Sequence, residues 1–126
     1  MDVDFRLEVV PISVSDVDRA KRFYSEQVGF VVDFDTRIGD EIRLVQLTSP
    51  GSACSIHLST GILDVPPGML EGLQLVVSDF EAARRELFER GVGASPIQHM
   101  DNGVWVDGRG GDWNSFVFFS DPGGNG

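Results

Sequence analysis

The sequence predicts an α+β fold of two paired β-α-β-β-β modules, which form a curved mixed sheet around a concave ligand cavity with the helices outside. Three observations predict it. A Val-Ser-Asp phrase begins the segment Val14–Tyr24 and returns 63 residues later in Val77–Leu87. A strand-like segment precedes each copy, and several more follow each copy between glycine and proline turns. One helix covers only one face of a sheet, so the other face is the candidate ligand surface.

Each module is predicted to open with a strand, Leu7–Val14 in the first and Glu71–Val77 in the second. Alternate side chains of a strand point to opposite faces. The faces predicted to pack on the helices carry Val10, Ile12 and Val14, and Leu73, Leu75 and Val77. The faces predicted to line the cavity carry Val9, Pro11 and Ser13, and Gly72, Gln74 and Val76.

The repeated phrase itself predicts the two helices. Apolar residues at spacing i, i+3, i+7 give each helix one buried face: Val17, Ala20 and Tyr24 in the first, and Phe80, Ala83 and Leu87 in the second. Ser15 and Ser78 are the predicted N-terminal caps, with Glu81 completing a capping box and Asp16 and Asp79 adding negative charge. Gly29 and Gly91 are predicted to end the helices in the left-handed conformation.

The remaining strands follow from alternation between turn residues. They are predicted at Phe30–Arg37, Glu41–Thr48, Ala53–Ser59, near Ala94–Gln98, at Gly103–Asp107 and at Asn114–Ser120. Proline and glycine in Gly61–Gly72 predict a linker. The chain, residues 1–126, is therefore expected to be a single domain, with module one at about 5–60, the linker at about 61–71 and module two at about 72–126.

Composition narrows the functional classes. The net charge of −10 argues against nucleic acid as a partner and suits a cationic ligand. The single cysteine, Cys54, fits a reducing compartment. The N-terminal residues lack the features of a signal peptide, and no apolar run is long enough to span a membrane, so a cytoplasmic protein without a membrane partner is expected.

Three segments together resemble the glyoxalase / bleomycin-resistance / dioxygenase superfamily, also called the vicinal oxygen chelate proteins. They are Val14–Phe30, Leu73–Val92 and the ending Phe116–Gly126, with its Phe-Phe-Ser-Asp-Pro-Gly-Gly-Asn run. The resemblance covers essentially the whole chain and implies paired modules around a ligand site. In the enzymes of this superfamily it further implies one divalent metal held by His, Gln or Glu, two from each module.

The implied metal ligands are mostly missing here. The resemblance places one ligand seven residues before each Val-Ser-Asp aspartate, at Val9 and Gly72, whose side chains offer no donor atom. His57 falls near the ligand position of the first module's last strand, and the fourth position follows Gly126. A one-residue slip would offer Glu8 and Glu71 but would turn the apolar strand faces outward. The expectation is therefore a protein with no metal and no other cofactor.

The predicted ligand-binding residues are His57, Gln74, Trp105, Trp113 and Val9, and no catalytic residue is assigned. His57 is either a hydrogen-bonded wall histidine or a base or metal ligand. Gln74 either contacts a ligand or bridges the modules. The two tryptophans lie in a glycine-rich stretch that is either a hairpin with buried aromatic side chains or a binding loop.

The leading hypothesis is a small-molecule-binding protein of the bleomycin-resistance type. It would be metal-independent and would sequester an antibiotic-like, hydrophobic or cationic organic ligand without chemistry. The alternative is a metal-dependent lyase, isomerase or dioxygenase of the same superfamily, using His57, with Glu8 or Glu71 as further candidate ligands. A third possibility is metal-free acid–base catalysis with His57 or His99 as the base. The resemblance also implies a homodimer, in which the modules pair either within one chain or between the two subunits.

Overall fold

The computed structural model describes residues 3–60 and 65–126, and within them the α+β fold class is confirmed. The chain divides into two compact units. Unit one is Met1–Glu71 with Asp121–Asn125, and unit two is Gly72–Ser120 with Gly126. The first part of the predicted linker, residues 61–64, lies outside the described residues. No helix in the described part of the chain has the length and apolar character needed to cross a membrane.

Unit one contains a four-stranded mixed sheet in the order β1-β4-β3-β2. Its strands are β1 (Val9–Ser13), β2 (Val31–Ile38), β3 (Ile42–Thr48) and β4 (Ser55–Thr60). β1 and β4 run parallel, and the other two pairs are antiparallel. The strands predicted for the first module are thus confirmed to within two residues at each end.

The helix of unit one is α1 (Val17–Arg22), which continues as a π-helical turn over Phe23–Gln27. In that turn the Val28 amide donates to the Phe23 carbonyl, five residues back. Gly29 then adopts φ 90°, so the predicted left-handed stop is confirmed.

The core of unit one lies between α1 and one face of the sheet. Ile12, Val14, Val45, Leu47 and Leu58 are at most 2% exposed. They meet the helix face that carries Val17, Ala20 and Tyr24, each 6% exposed or less. Burying side chains of this size contributes about 1.5–3 kcal/mol each. The predicted inward face of β1 is confirmed, and with it the assignment of Val9, Pro11 and Ser13 to the opposite face.

The predicted helix caps were wrong by one residue. Asp16 caps α1 by accepting from the Arg19 amide at 3.1 Å, and Asp79 caps the second helix by accepting from the Ala82 amide at 3.0 Å. Both aspartates have extended backbone angles, as an N-terminal cap requires. The serines Ser15 and Ser78 each precede the cap, because the carboxylate one position later reaches the free amide of the first turn.

Unit two contains α2 (Phe80–Glu89) and a hairpin of β5 (Gln98–Asp101) and β6 (Val104–Asp107). The hairpin turn is Asn102-Gly103, with φ of 50° and 80°. Two positive φ values match the twist of a two-residue hairpin, and Asn-Gly is the sequence that adopts them most readily. This turn places the first strand at Gln98–Asp101, not near Ala94–Gln98 as predicted.

Two further predicted strands of the second module do not form in the described structure. Glu71–Val77 is irregular, and Leu75, Val76 and Val77 are between 50% and 79% exposed. Asn114–Ser120 contributes one isolated bridge, between Phe116 and Gln98. Alternation shows that a segment suits a strand, but a strand also requires a neighbour for its amides and carbonyls. For the first segment, unit two provides a single such bond, from the Gly72 amide to Gly126.

Candidate ligand-binding face

The face of the unit-one sheet opposite α1 carries a row of side chains that crosses all four strands. Strand register aligns Pro11 of β1 with His57 of β4, His57 with Gln46 of β3, and Gln46 with Phe34 of β2. We call this the open face. Phe34 is 40% exposed there, and His57 and Gln46 are half-buried. The row therefore places an aromatic ring and two polar side chains on a surface that the helix does not cover.

A bulge in β2 adds a carboxylate to the open face. The pairing of β2 with β3 shifts between Val32 and Phe34, so Asp33 is the extra residue. A bulge turns a side chain away from strict alternation. The Asp33 carboxylate consequently bonds Gln46 and Thr48, which share the open face through the alternation of β3.

Hydrogen bonds to Asp33 join five side chains into one network. Gln46 Nε2 donates to Asp33 Oδ2 at 3.1 Å, and the Thr48 hydroxyl donates to the same oxygen. Thr48 Oγ1 lies 2.6 Å from Ser55 Oγ, and Gln46 Oε1 lies 2.8 Å from His57 Nε2. The network thus has two arms, one ending at His57 and the other at Ser55, which meet at a single acceptor.

The charge of this acceptor is stabilised by its donors. The hydrogen bond from Thr48, and then that from Gln46, holds the pKa of Asp33 below the ordinary aspartate value. Asp33 is therefore a carboxylate at neutral pH and can only accept hydrogen bonds.

Aromatic contact completes the open face. The His57 and Phe34 rings lie edge to face, with centroids 6.1 Å apart and planes at 62°. Val9, also predicted to contact ligand, is half-buried and pairs with Ser55, two residues before His57. Two of the five predicted ligand residues therefore share one face of one sheet.

The other three predicted residues belong to unit two. Trp105 of β6 is 43% exposed and packs edge to face against Phe116 and Phe118, with centroids 5.3 and 5.0 Å away. Trp113 is 89% exposed and adopts φ 61°. Gln74 is exposed and lies in the irregular segment before α2. Of the two alternatives for the tryptophans, the hairpin is observed for Trp105, although its ring is only partly covered.

His99, the other candidate base, has a structural partner. Its Nδ1 lies 2.9 Å from the Gly108 carbonyl oxygen, across the mouth of the hairpin. A carbonyl only accepts, so His99 Nδ1 carries the proton. That bond ties the ring to the backbone and leaves His57 as the histidine of the open face.

A buried polar cluster fixes the last turn of unit one. The Tyr24 hydroxyl donates to Asp121 Oδ2 at 2.9 Å, and Asp121 also accepts from the Gly123 amide and from the amide and side chain of Asn125. Burial, and then the Asp121 charge, raises the pKa of Tyr24 well above its ordinary value. Asn125 in turn bonds the Leu70 amide and the Ser13 carbonyl. The sequence predicted only packing for Tyr24, on the buried face of the first helix.

A small depression lies at the start of α1, bordered by Asp16, Arg19 and Pro122, and its volume is about 20 Å³. This volume accommodates a water molecule and is far below the roughly 300 Å³ of a drug-sized site. The depression is therefore not a candidate for an organic ligand.

The open face does not fit the metal that the family's enzymes carry. Val9 is apolar, and both ends of the Gln46 amide are already used, by Asp33 and His57. Glu8 precedes Val9, so alternation directs it to the other face. Across residues 3–60 and 65–126, no three His, Cys, Asp or Glu side chains group as metal ligands. His57 alone is not a metal site.

Sequence reasoning missed Asp33, Gln46, Thr48 and Phe34 as functional candidates. One signal was present for Gln46, a polar residue between the apolar Val45 and Leu47, and the same kind of signal had selected Gln74. Asp33 gave none, because strict alternation places it on the face opposite to Phe34 and only the bulge reverses this.

Comparison with known proteins identifies the family and agrees with the fold. Residues 6–126 match the Glyoxalase/Bleomycin resistance protein/Dioxygenase superfamily. TnmS3, an antibiotic binding protein from Streptomyces sp. CB03234, is 32% identical with a TM-score of 0.78, over 99% of this chain and 93% of that chain. A glyoxalase/bleomycin resistance protein from the same strain is 33% identical with a TM-score of 0.74, over 95% of each chain.

A third solved structure is a superfamily member from Sphaerobacter thermophilus DSM 20745. It is 26% identical with a TM-score of 0.74, over 99% of this chain and 94% of that chain. A search of the curated proteins gave no match. The match of the superfamily to nearly the whole sequence, together with the shared fold, leads to one conclusion. The chain belongs to the Glyoxalase/Bleomycin resistance protein/Dioxygenase superfamily.

Proposed function

We propose that this protein binds an antibiotic-like organic molecule on the open face of unit one, without a metal and without chemical conversion of the ligand. The observation that carries the proposal is the row of Phe34, His57 and Gln46, backed by Asp33, on the sheet face opposite α1. An aromatic edge beside a few fixed polar groups is the usual composition of a small-molecule site.

The related proteins and the charge support the proposal. TnmS3, 32% identical, is described as an antibiotic binding protein. The net charge of −10 favours a cationic ligand, because an acidic surface raises the local concentration of cations. Bleomycin and the anthracyclines combine positive charge with aromatic rings, so they are suitable first probes. The homodimer and the cytoplasmic location remain predictions.

Calorimetric titration with metal-free bleomycin and with daunorubicin, in buffer containing EDTA, tests the proposal. Binding of at least one probe is expected. Phe34→Ala should weaken it about tenfold, since an aromatic contact contributes about 1.4 kcal/mol. Phe5→Ala is the matched control, because Phe5 is 82% exposed and lies outside the strands.

Three results would contradict the proposal. Equal loss in Phe34→Ala and Phe5→Ala would place the ligand elsewhere. Binding that disappears in EDTA and returns with a divalent cation would favour the metal-dependent alternative. Turnover of a bound ligand would replace sequestration by catalysis.

A further inference from the structure

The Asp33 carboxylate determines which groups donate and which accept in the hydrogen-bond network on the open face. A carboxylate has no proton to give, so the Gln46 group that faces it must be the NH₂ group. The Gln46 carbonyl oxygen is therefore the end that faces His57, 2.8 Å from Nε2. A carbonyl oxygen only accepts, so Nε2 of His57 carries a proton. The orientation of the amide and the tautomer of the imidazole both follow from one charged acceptor.

The second arm of the network supports this orientation. The Thr48 hydroxyl has a single proton and donates it to Asp33, so Ser55 must be the donor to Thr48. Asp33 consequently receives two hydrogen bonds on one oxygen, from Thr48 and Gln46, and the bulge holds it between them. A reversed Gln46 would set a carbonyl oxygen against the carboxylate and an NH₂ group against His57.

With a proton on Nε2, neutral His57 has an unprotonated Nδ1. His57 is half-buried, and none of the described residues bonds its Nδ1. This nitrogen is a hydrogen-bond acceptor on the same face as Phe34, whose ring lies 6.1 Å from the imidazole. The opposite tautomer would present a donor there and would select ligands by their carbonyl groups.

We infer that Asp33 and Gln46 are positioning residues that hold His57 as the Nε2–H tautomer, so that Nδ1 selects aromatic ligands bearing a hydroxyl or N–H donor. The ligand half of this inference rests on the proposed function. It assigns the ligand a chemical class, a phenol or comparable donor beside an aromatic ring. In this arrangement the Asp33 carboxylate orients the Gln46 amide, and the amide in turn leaves His57 Nδ1 as the acceptor offered to the ligand.

Nitrogen NMR of protein labelled with ¹⁵N-histidine tests the tautomer directly, at about pH 8, where free imidazole is neutral. The chain has only two histidines. His99 serves as the internal reference, because its bond to the Gly108 carbonyl requires the opposite, Nδ1–H tautomer. One spectrum should therefore contain one ring of each tautomer, assigned with a His99→Gln variant. His57 in the Nδ1–H form would overturn the inference without any variant at the site.

Gln46→Leu should convert His57 to a mixture of tautomers, a change that loss of stability alone would not produce. Gln98→Leu is the matched control. Gln98 also bonds an aspartate, Asp107 at 3.0 Å, but in unit two and with no histidine in that pair. A His57 spectrum unchanged in folded Gln46→Leu would overturn the positioning role.

Titration with 2-naphthol and 2-methoxynaphthalene tests the ligand class, because the two probes differ at the donor. The naphthol should bind about three- to tenfold more tightly, the usual effect of one hydrogen bond. Gln46→Leu should reduce that preference, and Gln98→Leu should leave it intact. Equal binding of both probes by the wild type would overturn the inference and leave the proposed function standing. If none of the four probes binds (the two naphthalenes, bleomycin and daunorubicin), both the proposed function and the acceptor role of His57 are contradicted. The ¹⁵N-histidine spectrum would still determine the tautomer of His57.

Discussion

Replacing Asp121 by alanine is predicted to destabilise unit one strongly, because the buried Asp121 carboxylate fixes the last turn of this unit. The Asp121 carboxylate is 6% exposed and accepts four hydrogen bonds, at 2.9 to 3.0 Å. Alanine would leave the Tyr24 hydroxyl without an acceptor in a buried site, and Asn125 Nδ2 would keep only the Ser13 carbonyl. It would also release the turn that contacts Leu70 and Ser13 through Asn125.

The expected loss follows from the number and type of these bonds. A hydrogen bond to a charged group contributes about 1.5–3 kcal/mol, but bonds to one carboxylate are not additive. We therefore expect Asp121→Ala to lower the free energy of unfolding by about 3 kcal/mol. Tyr24→Phe removes one donor and leaves the carboxylate three others, so its expected loss is about 1.5 kcal/mol.

Urea unfolding followed by far-ultraviolet circular dichroism measures both losses. The double variant should lose about 1 kcal/mol less than the two single losses combined, because Tyr24 and Asp121 interact directly. Asp40→Ala, in an exposed turn of unit one, is the control and should stay within about 0.5 kcal/mol of the wild type. An Asp121→Ala protein as stable as Asp40→Ala, or a double variant whose losses simply add, would refute the reasoning.

Two further predictions concern unit one. The Gly68→Ala protein should have a midpoint of thermal unfolding well below that of the Gly39→Ala protein. Both glycines have positive φ, but only at Gly68 would the added Cβ collide with the Gly123 carbonyl. Equal midpoints for the two variants would contradict this prediction. Asp35→Asn should cost about 1 kcal/mol at pH 7, since Arg43 bonds both Asp35 oxygens, at 3.0 and 2.7 Å. The hydrogen bond from Arg43 lowers the pKa of Asp35, so this stability is present above the unfolded pKa of about 3.9 and disappears as pH falls through the lower folded pKa. Urea midpoints of the two proteins should therefore converge in acid; a constant difference would exclude the ion pair as the cause.

The first module could be predicted closely because its signals are local and mutually consistent. The apolar positions of β1 and α1 repeat with the periods of a strand and a helix, and each finds a partner within unit one. In unit two the same phrase predicts an equivalent opening strand, yet Leu75, Val76 and Val77 are largely exposed. The two opening segments have similar apolar periodicity. They differ because β1 pairs with β4, whereas Glu71–Val77 has no neighbouring strand in the described structure.

The candidate site was predicted only in part. His57 and Val9 were identified by alternation and by the family resemblance, and the structure places both on the open face. Gln46 lies eleven residues from His57 along the chain and meets it through the register of β3 and β4. Asp33 joins them through a bulge, and neither register nor bulge is encoded in any short stretch of sequence.

The sequence by itself determined the fold class, the superfamily and which face of β1 would be buried, because each follows from residue type and spacing along one element. Only the tertiary structure decided which polar side chains meet. Asp33, Gln46 and His57 come from three strands, and Tyr24 and Asp121 are 97 residues apart. A hydrogen bond requires atoms within about 3 Å, and the chain reaches that distance between remote residues only after its strands and turns have packed.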